Sequence, residues 1–215
     1  MFSGHYEEWR KSRMNGIDKY IKEDFFKGKK LLELGCGYGD LGNEFFKKGC
    51  KEVTCSYARE EYLNQVREKY SQLKTMVFDC DKDKLETSYD IILHWGVLYH
   101  LKNVNNHLKN VCDNCDYLLL ETEVCDTDDI VNINVPESGY DQSFNGSGSR
   151  PSPKLIEMNL EENGFEYKMI MDEILNSGFH RYDWKPSNNN GYSHGLRRFW
   201  ICWRKGKKTP LKKDI

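Results

Sequence analysis

Residues 31–42 read LLELGCGYGDLG, an apolar run carrying one acid, Glu33, and then glycines at alternate positions, Gly35, Gly37 and Gly39. Glycine lacks a Cβ and tolerates left-handed backbone, so a chain bent through such a turn can approach a ligand closely. A strand that ends in this turn and passes straight into a helix is the first unit of an α/β sheet that binds its ligand beyond the strand ends. The chain must fold around that unit, and the ligand expected there is a nucleoside-bearing cofactor.

The rest of the sequence repeats the unit. Apolar residues at Tyr6, Trp9, Met14, Ile17, Tyr20, Ile21 and Phe25 fall at helical spacing, so residues 1–28 read as a leading amphipathic helix and its exit. Strands are expected at 30–34, 52–56, 75–78, 89–94 and 117–121, with helices at 40–48, 60–70 and 104–112 between them. Alternating strands and helices with apolar strands imply a parallel sheet covered on both faces. Residues 122–150 then turn polar and run too long for a routine connection, which suits a lid beside the ligand edge. Ser152 and Pro153 cap and open a helix that stops at Gly164, and strands follow at 165–171 and 198–203. Between those strands, 172–196 is a second long insertion bearing Tyr182, Asp183, Trp184, Tyr192 and His194, aromatics that suit a sugar or nucleoside face. The basic tail 205–213 reads as a solvated terminus, and 1–215 as one domain with two insertions.

Charge excludes some partners. With 32 Lys and Arg against 34 Asp and Glu there is no global field to draw in a long nucleic acid. No apolar run approaches the roughly 20 residues of a membrane span, and MFSGHYEEWRKSR lacks the apolar stretch of a secretory signal, so a cytoplasmic protein is expected. Eight scattered cysteines in a chain of this length read as reduced thiols. Cys112 and Cys115 form a C-x2-C pair without a second pair at comparable spacing, so no metal is expected.

The glycine spacing is G-x-G-x-G, whereas a pyrophosphate-binding turn is G-x-G-x-x-G. Glu33 before the turn and Asp40 after it suit a cationic ligand, and S-adenosylmethionine carries both an ammonium and a sulfonium. ELGCGYGD, the later YDIILHWGVLYHL and the order of elements resemble the class I S-adenosylmethionine-dependent methyltransferases. That resemblance implies a Rossmann-like α/β sandwich: a seven-stranded, mostly parallel sheet with an antiparallel last strand and helices on both faces. LLLETEV, QSFNGSGSRPSPKLIEMNLEENGF, YDW and RRFWICWR are similar to a narrower group, small methyltransferases of bacterial and large-DNA-virus glycan clusters that act on sugar hydroxyls. A viral origin would place the protein in the host cytoplasm.

By the resemblance, Glu33, Gly35, Gly37, Tyr38 and Asp40 line the methionine and ribose of the cofactor, and His94, Trp95 and Gly96 wall its methionine side. Asp79 matches the adenine position, with Asp81 competing for it. One departure is Tyr57, which stands where the family has an acid for the ribose hydroxyls; Glu60 or Glu61 could substitute. Methyl transfer to a hydroxyl needs a base, and His100, just beyond a strand end, is the first candidate, with Glu121 or Glu123 as runner-up. Tyr99, Gln142, Arg150, Asp183, Trp184 and Arg198 are the candidates for holding the acceptor, Trp184 as a sugar platform and Arg150 as an anion contact. The function expected is sugar O-methylation that yields S-adenosylhomocysteine. The alternatives are tRNA wobble-uridine modification, which GVLYH and LLLET also resemble, and a catalytically idle binding subunit.

Overall fold

The computed structural model describes residues 4–137, 143–144, 146–188, 192–193 and 195–213. Helix α1 (Gly4–Tyr20) leads into β1 (Lys30–Leu34), α2 (Asp40–Lys47), β2 (Glu52–Tyr57), α3 (Glu60–Lys69), β3 (Lys74–Val77) and β4 (Tyr89–Trp95). A 3-10 turn at Leu98–His100 precedes α4 (Val104–Asp113) and β5 (Cys115–Glu123). There follow β6 (Asn132–Pro136), β7 (Ser147–Pro151), α5 (Pro153–Glu162), β8 (Phe165–Ile170) and β9 (Arg197–Arg204).

The main sheet has seven strands in the order β3-β2-β1-β4-β5-β9-β8. The first five are parallel, and β9 runs antiparallel to both β5 and β8. This is the Rossmann-like methyltransferase sandwich. Successive side chains on a strand face opposite ways, so Leu31, Ile91 and Leu119 join one core with Ile17, Phe45 and Leu63 of α1–α3. Their neighbours Leu32, Ile92 and Leu118 join the other, with Leu108 of α4 and Ile156 of α5. Both faces being covered explains why β1 and β5 read as nearly unbroken apolar runs.

Three expectations change. The leading helix stops at Tyr20, where Ile21 bridges to Leu211, Lys22 N–H donates to Pro210 and Lys212 N–H donates to Tyr20. The same contacts show that the basic tail is not a frayed end: it closes as a strand-like pair against residues 20–22. Within the polar stretch 122–150, β5 continues to Glu123 and a separate two-stranded sheet forms from β6 and β7. The polar composition of NINVP and SGSRP hid strands that bury little apolar surface. The α5 cap is as expected, with Ser152 Oγ accepting from Leu155 N–H at 3.2 Å.

No helix among the described residues is long and apolar enough to cross a membrane. All eight cysteines are free thiols, seven of them buried.

Candidate active site

A cleft opens at the carboxyl ends of β1, β2, β3 and β4 and is roofed by α1. The turn after β1 forms its floor, with Gly35, Gly37 and Gly39 at φ of 66°, 52° and 74°. At Gly35 a Cβ would also stand 2.4 Å from Val97 Cγ2, so the turn is pressed against the end of β4 and only glycine fits.

Glu33, at the end of β1, lines this cleft but is almost fully buried. Its carboxylate accepts from Gly42 N–H at 2.9 Å and from the Cys55 thiol at 3.5 Å. Burial pushes its pKa up to about 8, and these two hydrogen bonds and the charge of Arg13 only partly oppose that. Asp40 differs. Its carboxylate meets Arg10 at 2.9 Å, Lys69 at 2.5 Å and the Tyr70 hydroxyl at 2.7 Å. Burial would raise its pKa, but these partners bring it below the usual carboxylate range. The cation expected to share Glu33 and Asp40 therefore finds Asp40 already compensated, and Glu33 is the acid that would ionise to meet it.

Tyr38 and Tyr57 line the cleft and each stacks on Tyr62, at ring separations of 5.4 and 4.5 Å. Asp79 and Asp81 line it as well, and both are engaged: Asp79 pairs with Lys82, while Asp81 accepts from Lys102 and Asn103 N–H at the start of α4. Trp95 and Gly96 form part of the wall. His94 does not, because alternation along β4 turns it to the opposite face, where its Nε2 meets His107 Nε2 at 2.7 Å. Burial holds both imidazoles below their ordinary pKa, His107 at about 4.

The acceptor candidates divide sharply. Tyr99 and His100, in the 3-10 turn, line the cleft. His100 Nδ1 lies 2.5 Å from Glu137 Oε2. Glu121 is fully buried and saturated by Arg197 at 2.9 Å, Tyr182 at 3.1 Å and Arg13 at 3.3 Å, so its oxygens are not free to take an acceptor proton. Glu123 is held likewise by Arg150, Arg197 and the Tyr192 hydroxyl. Arg150 is buried behind the cleft wall between Glu123 and Glu137, not presented to a ligand. Trp184 is no open platform, since the Arg198 guanidinium covers its ring at 3.4 Å and its Nε1 donates to Arg197 O. Asp183 pairs with Arg181. Those three stand together away from the cleft, and Gln142 and His194 lie outside the described residues.

Two residues that the sequence reading passed over belong to the site. Arg13 lines the cleft with its guanidinium 3.8 Å from the Trp9 ring, and its buried Nε has no partner among the described residues. Trp95 Nε1 is orphaned in the same way. An unpartnered buried donor is costly, and two in one cleft are what a bound polar group would satisfy. The signal for Arg13 was available: it follows Trp9 by four residues, which sets a cation on the apolar face of α1. Glu137 is the other, and nothing in its local sequence marks it.

Residues 6–168 match the methyltransferase-domain family, so the chain belongs to it. Among curated proteins it is similar to tRNA U34 carboxymethyltransferase of Pseudomonas aeruginosa, 27% identical over 184 residues, which cover 79% of this chain and 54% of that protein. Pavine N-methyltransferase of Thalictrum flavum is 31% identical over 102 residues, covering 44% of this chain and 29% of the relative. The chain thus spans about half or less of the length of these curated relatives. Among solved structures, the N-terminal domain of EvdMO1 with S-adenosylhomocysteine bound superposes with a TM-score of 0.69 at 15% identity, covering 91% of this chain and 80% of that one. An S-adenosylmethionine-dependent methyltransferase of Mesorhizobium loti follows at 0.64 and 13% identity, covering 90% and 98%. S-adenosylmethionine is the cofactor of this family and fold. The glycine floor, the acid Glu33 and the unpaired donors of Arg13 and Trp95 fit it.

Proposed function

We propose that this enzyme transfers a methyl group from S-adenosylmethionine to a hydroxyl of a sugar, with His100 as the general base. The observation that carries the proposal is His100 itself: it lines the cleft within four residues of Gly96, and its Nδ1 is bound to a carboxylate, which leaves Nε2 for an acceptor. When bound, the cofactor supplies a methyl carbon already activated by its sulfonium. The chain's own residues do the rest. Glu33 offers a carboxylate to an ammonium, Arg13 offers donors to a carboxylate, and the turn at Gly35–Gly39 lets the backbone come close. Tyr6 and Tyr99 give the acceptor side aromatic surfaces that suit the apolar face of a sugar ring. A related fold, the N-terminal domain of EvdMO1, was solved in the presence of S-adenosylhomocysteine and D-fucose.

A second reading, modification of the tRNA wobble uridine, is favoured by the likeness to the Pseudomonas carboxymethyltransferase. It is disfavoured by a formal net charge of −2, which supplies no excess of basic residues for a phosphate backbone. The test offers methyl-labelled S-adenosylmethionine with a panel of nucleotide sugars, synthetic glycans and tRNA. Label is expected on a sugar, lost in His100→Ala at saturating cofactor. Label on tRNA alone overturns the sugar acceptor, and near wild-type turnover by His100→Ala overturns the base. Thermal stabilisation by S-adenosylmethionine separates both readings from an idle binding subunit, which would show none.

A further inference from the structure

The β6–β7 hairpin sits against the turn that carries His100. Ser149 Oγ donates to Leu101 O at 2.8 Å and Arg150 Nη1 donates to Tyr99 O at 3.0 Å, so β7 grips the backbone on both sides of His100. Gly148 makes this approach possible: a Cβ there would lie 2.4 Å from Tyr99 O and 2.7 Å from Glu137 Cδ. Glu137, just past the end of β6, is thereby brought under the imidazole and is itself buried.

Every oxygen of Glu137 is occupied. Oε1 accepts from Arg150 Nη1 at 2.9 Å, while Oε2 accepts from Ser143 N–H at 3.2 Å and faces His100 Nδ1 at 2.5 Å. Burial alone would favour the neutral acid, but the His100 hydrogen bond, the charge His100 carries when protonated and the Arg150 guanidinium outweigh it and hold the pKa below the usual carboxylate range. An ionised carboxylate can only accept, so the proton between the two groups resides on Nδ1 of His100.

We propose that Glu137 is the positioning residue of this site: it fixes the His100 tautomer with Nδ1 protonated and Nε2 bare toward the cleft. The inference rests on the reading of His100 as base. In the reaction the acceptor oxygen bonds to the methyl carbon as the carbon–sulfur bond breaks, and the electron pair of that bond stays on sulfur. The hydroxyl proton passes to Nε2. His100 then carries two protons and one positive charge, which the fixed charge of Glu137 stabilises without accepting a proton itself. Arg150 secures Glu137 from behind and is in turn anchored by Glu123 at 2.8 Å, so an inserted hairpin holds the base through a chain of paired charges.

Nitrogen-15 NMR of the histidine-labelled full chain reads the tautomer directly, with His100→Gln assigning the signal. The wild-type neutral imidazole is expected to show a proton on Nδ1 and none on Nε2. Glu137→Gln loses the charge and leaves one acceptor oxygen for the donors Arg150 Nη1, Ser143 N–H and His100 Nδ1–H, so the exclusive Nδ1-protonated form should give way to a mixture with protonation at Nε2. A wild-type His100 protonated at Nε2, or a tautomer unchanged in a folded Glu137→Gln, overturns the proposal. Should that variant not fold, the wild-type spectrum alone decides. Once a methyl acceptor is in hand, Glu137→Gln should lower kcat by about 10²- to 10⁴-fold with the cofactor KM unchanged, and cost nothing further in a His100→Gln background. A fall in KM affinity alone would refute the positioning role. Full turnover by His100→Gln would instead sink the base while the tautomer result stands.

Discussion

Glu33 makes cofactor binding a proton-linked event. Its pKa of about 8 means that near pH 7 about nine molecules in ten carry a neutral acid, since one unit below the pKa leaves roughly a tenth ionised. An ammonium seated beside it selects the ionised form. Binding therefore expels close to one proton at pH 7, and affinity rises about tenfold per pH unit, or about 1.4 kcal/mol, until the carboxyl ionises unaided near pH 8. Titration calorimetry of S-adenosylhomocysteine at pH 6, 7 and 8, in buffers of different ionisation heat, counts the protons. The same nucleoside lacking the amino-acid portion, 5′-methylthioadenosine, should release none. In Glu33→Gln the pH slope should vanish and affinity at pH 8.5 should fall. Stability follows the same linkage with the sign of a raised acid: Glu33 favours the ligand-free fold fully below about pH 4.5 and loses that contribution as pH rises to about 8. Affinity that is flat from pH 6 to 8 with no proton released, or a slope that survives Glu33→Gln, refutes this account of the site.

Arg13→Met should weaken S-adenosylhomocysteine by about 10- to 100-fold, the worth of charged hydrogen bonds, and leave 5′-methylthioadenosine unaffected; equal loss for both would remove Arg13 from the carboxylate subsite. Tyr57→Ala should cost several-fold in cofactor affinity by calorimetry, and an unchanged value would take Tyr57 out of the ribose contact. Gly42→Ala sets a Cβ 2.6 Å from Cys55 Sγ and 2.8 Å from Glu33 Oε2, so it should lower thermal stability by about 1–3 kcal/mol and shift the pH profile of cofactor binding. Glu121→Gln leaves two buried guanidiniums undercompensated and should cost about 3–5 kcal/mol in stability. Its turnover per folded molecule should stay within a few-fold of wild type, whereas a loss as deep as that of His100→Ala would return Glu121 to the role of base.

The centre of the sheet was legible because β1, β2 and β5 are short apolar runs bounded by glycine or a polar turn, and β1, α2 and α3 fall within a residue of where spacing puts them. The floor of the cleft was legible for the same reason, being contiguous in sequence. What failed to show is whatever depends on long-range pairing. Nothing in YDW or RRF indicates that Arg198 closes over Trp184, a pairing that turns an apparent platform into packing. Nor does NINVPE indicate that Glu137 crosses 37 residues to reach His100. The resemblance put His94 in the cleft wall, but residues 91–95 of β4 are all buried, so no polar side sets the strand's phase and His94 faces the other core.

The charges behind the cleft form one continuous line from Arg13 through Glu121, Arg197, Glu123, Arg150 and Glu137 to His100. Three arginines and three glutamates alternate, so the interior of the line is neutral and each carboxylate is shared between two donors. Breaking an interior pair strands a buried charge, which makes those residues costly to alter whatever their part in catalysis. The two ends differ, because Arg13 and His100 both open on the cleft. Arg13 has a donor to spare and His100 a bare nitrogen, one suited to an anion and the other to a proton. Built this way, the wall fixes both groups against the same rigid network, so their spacing is set by packing and the ligand need not organise it.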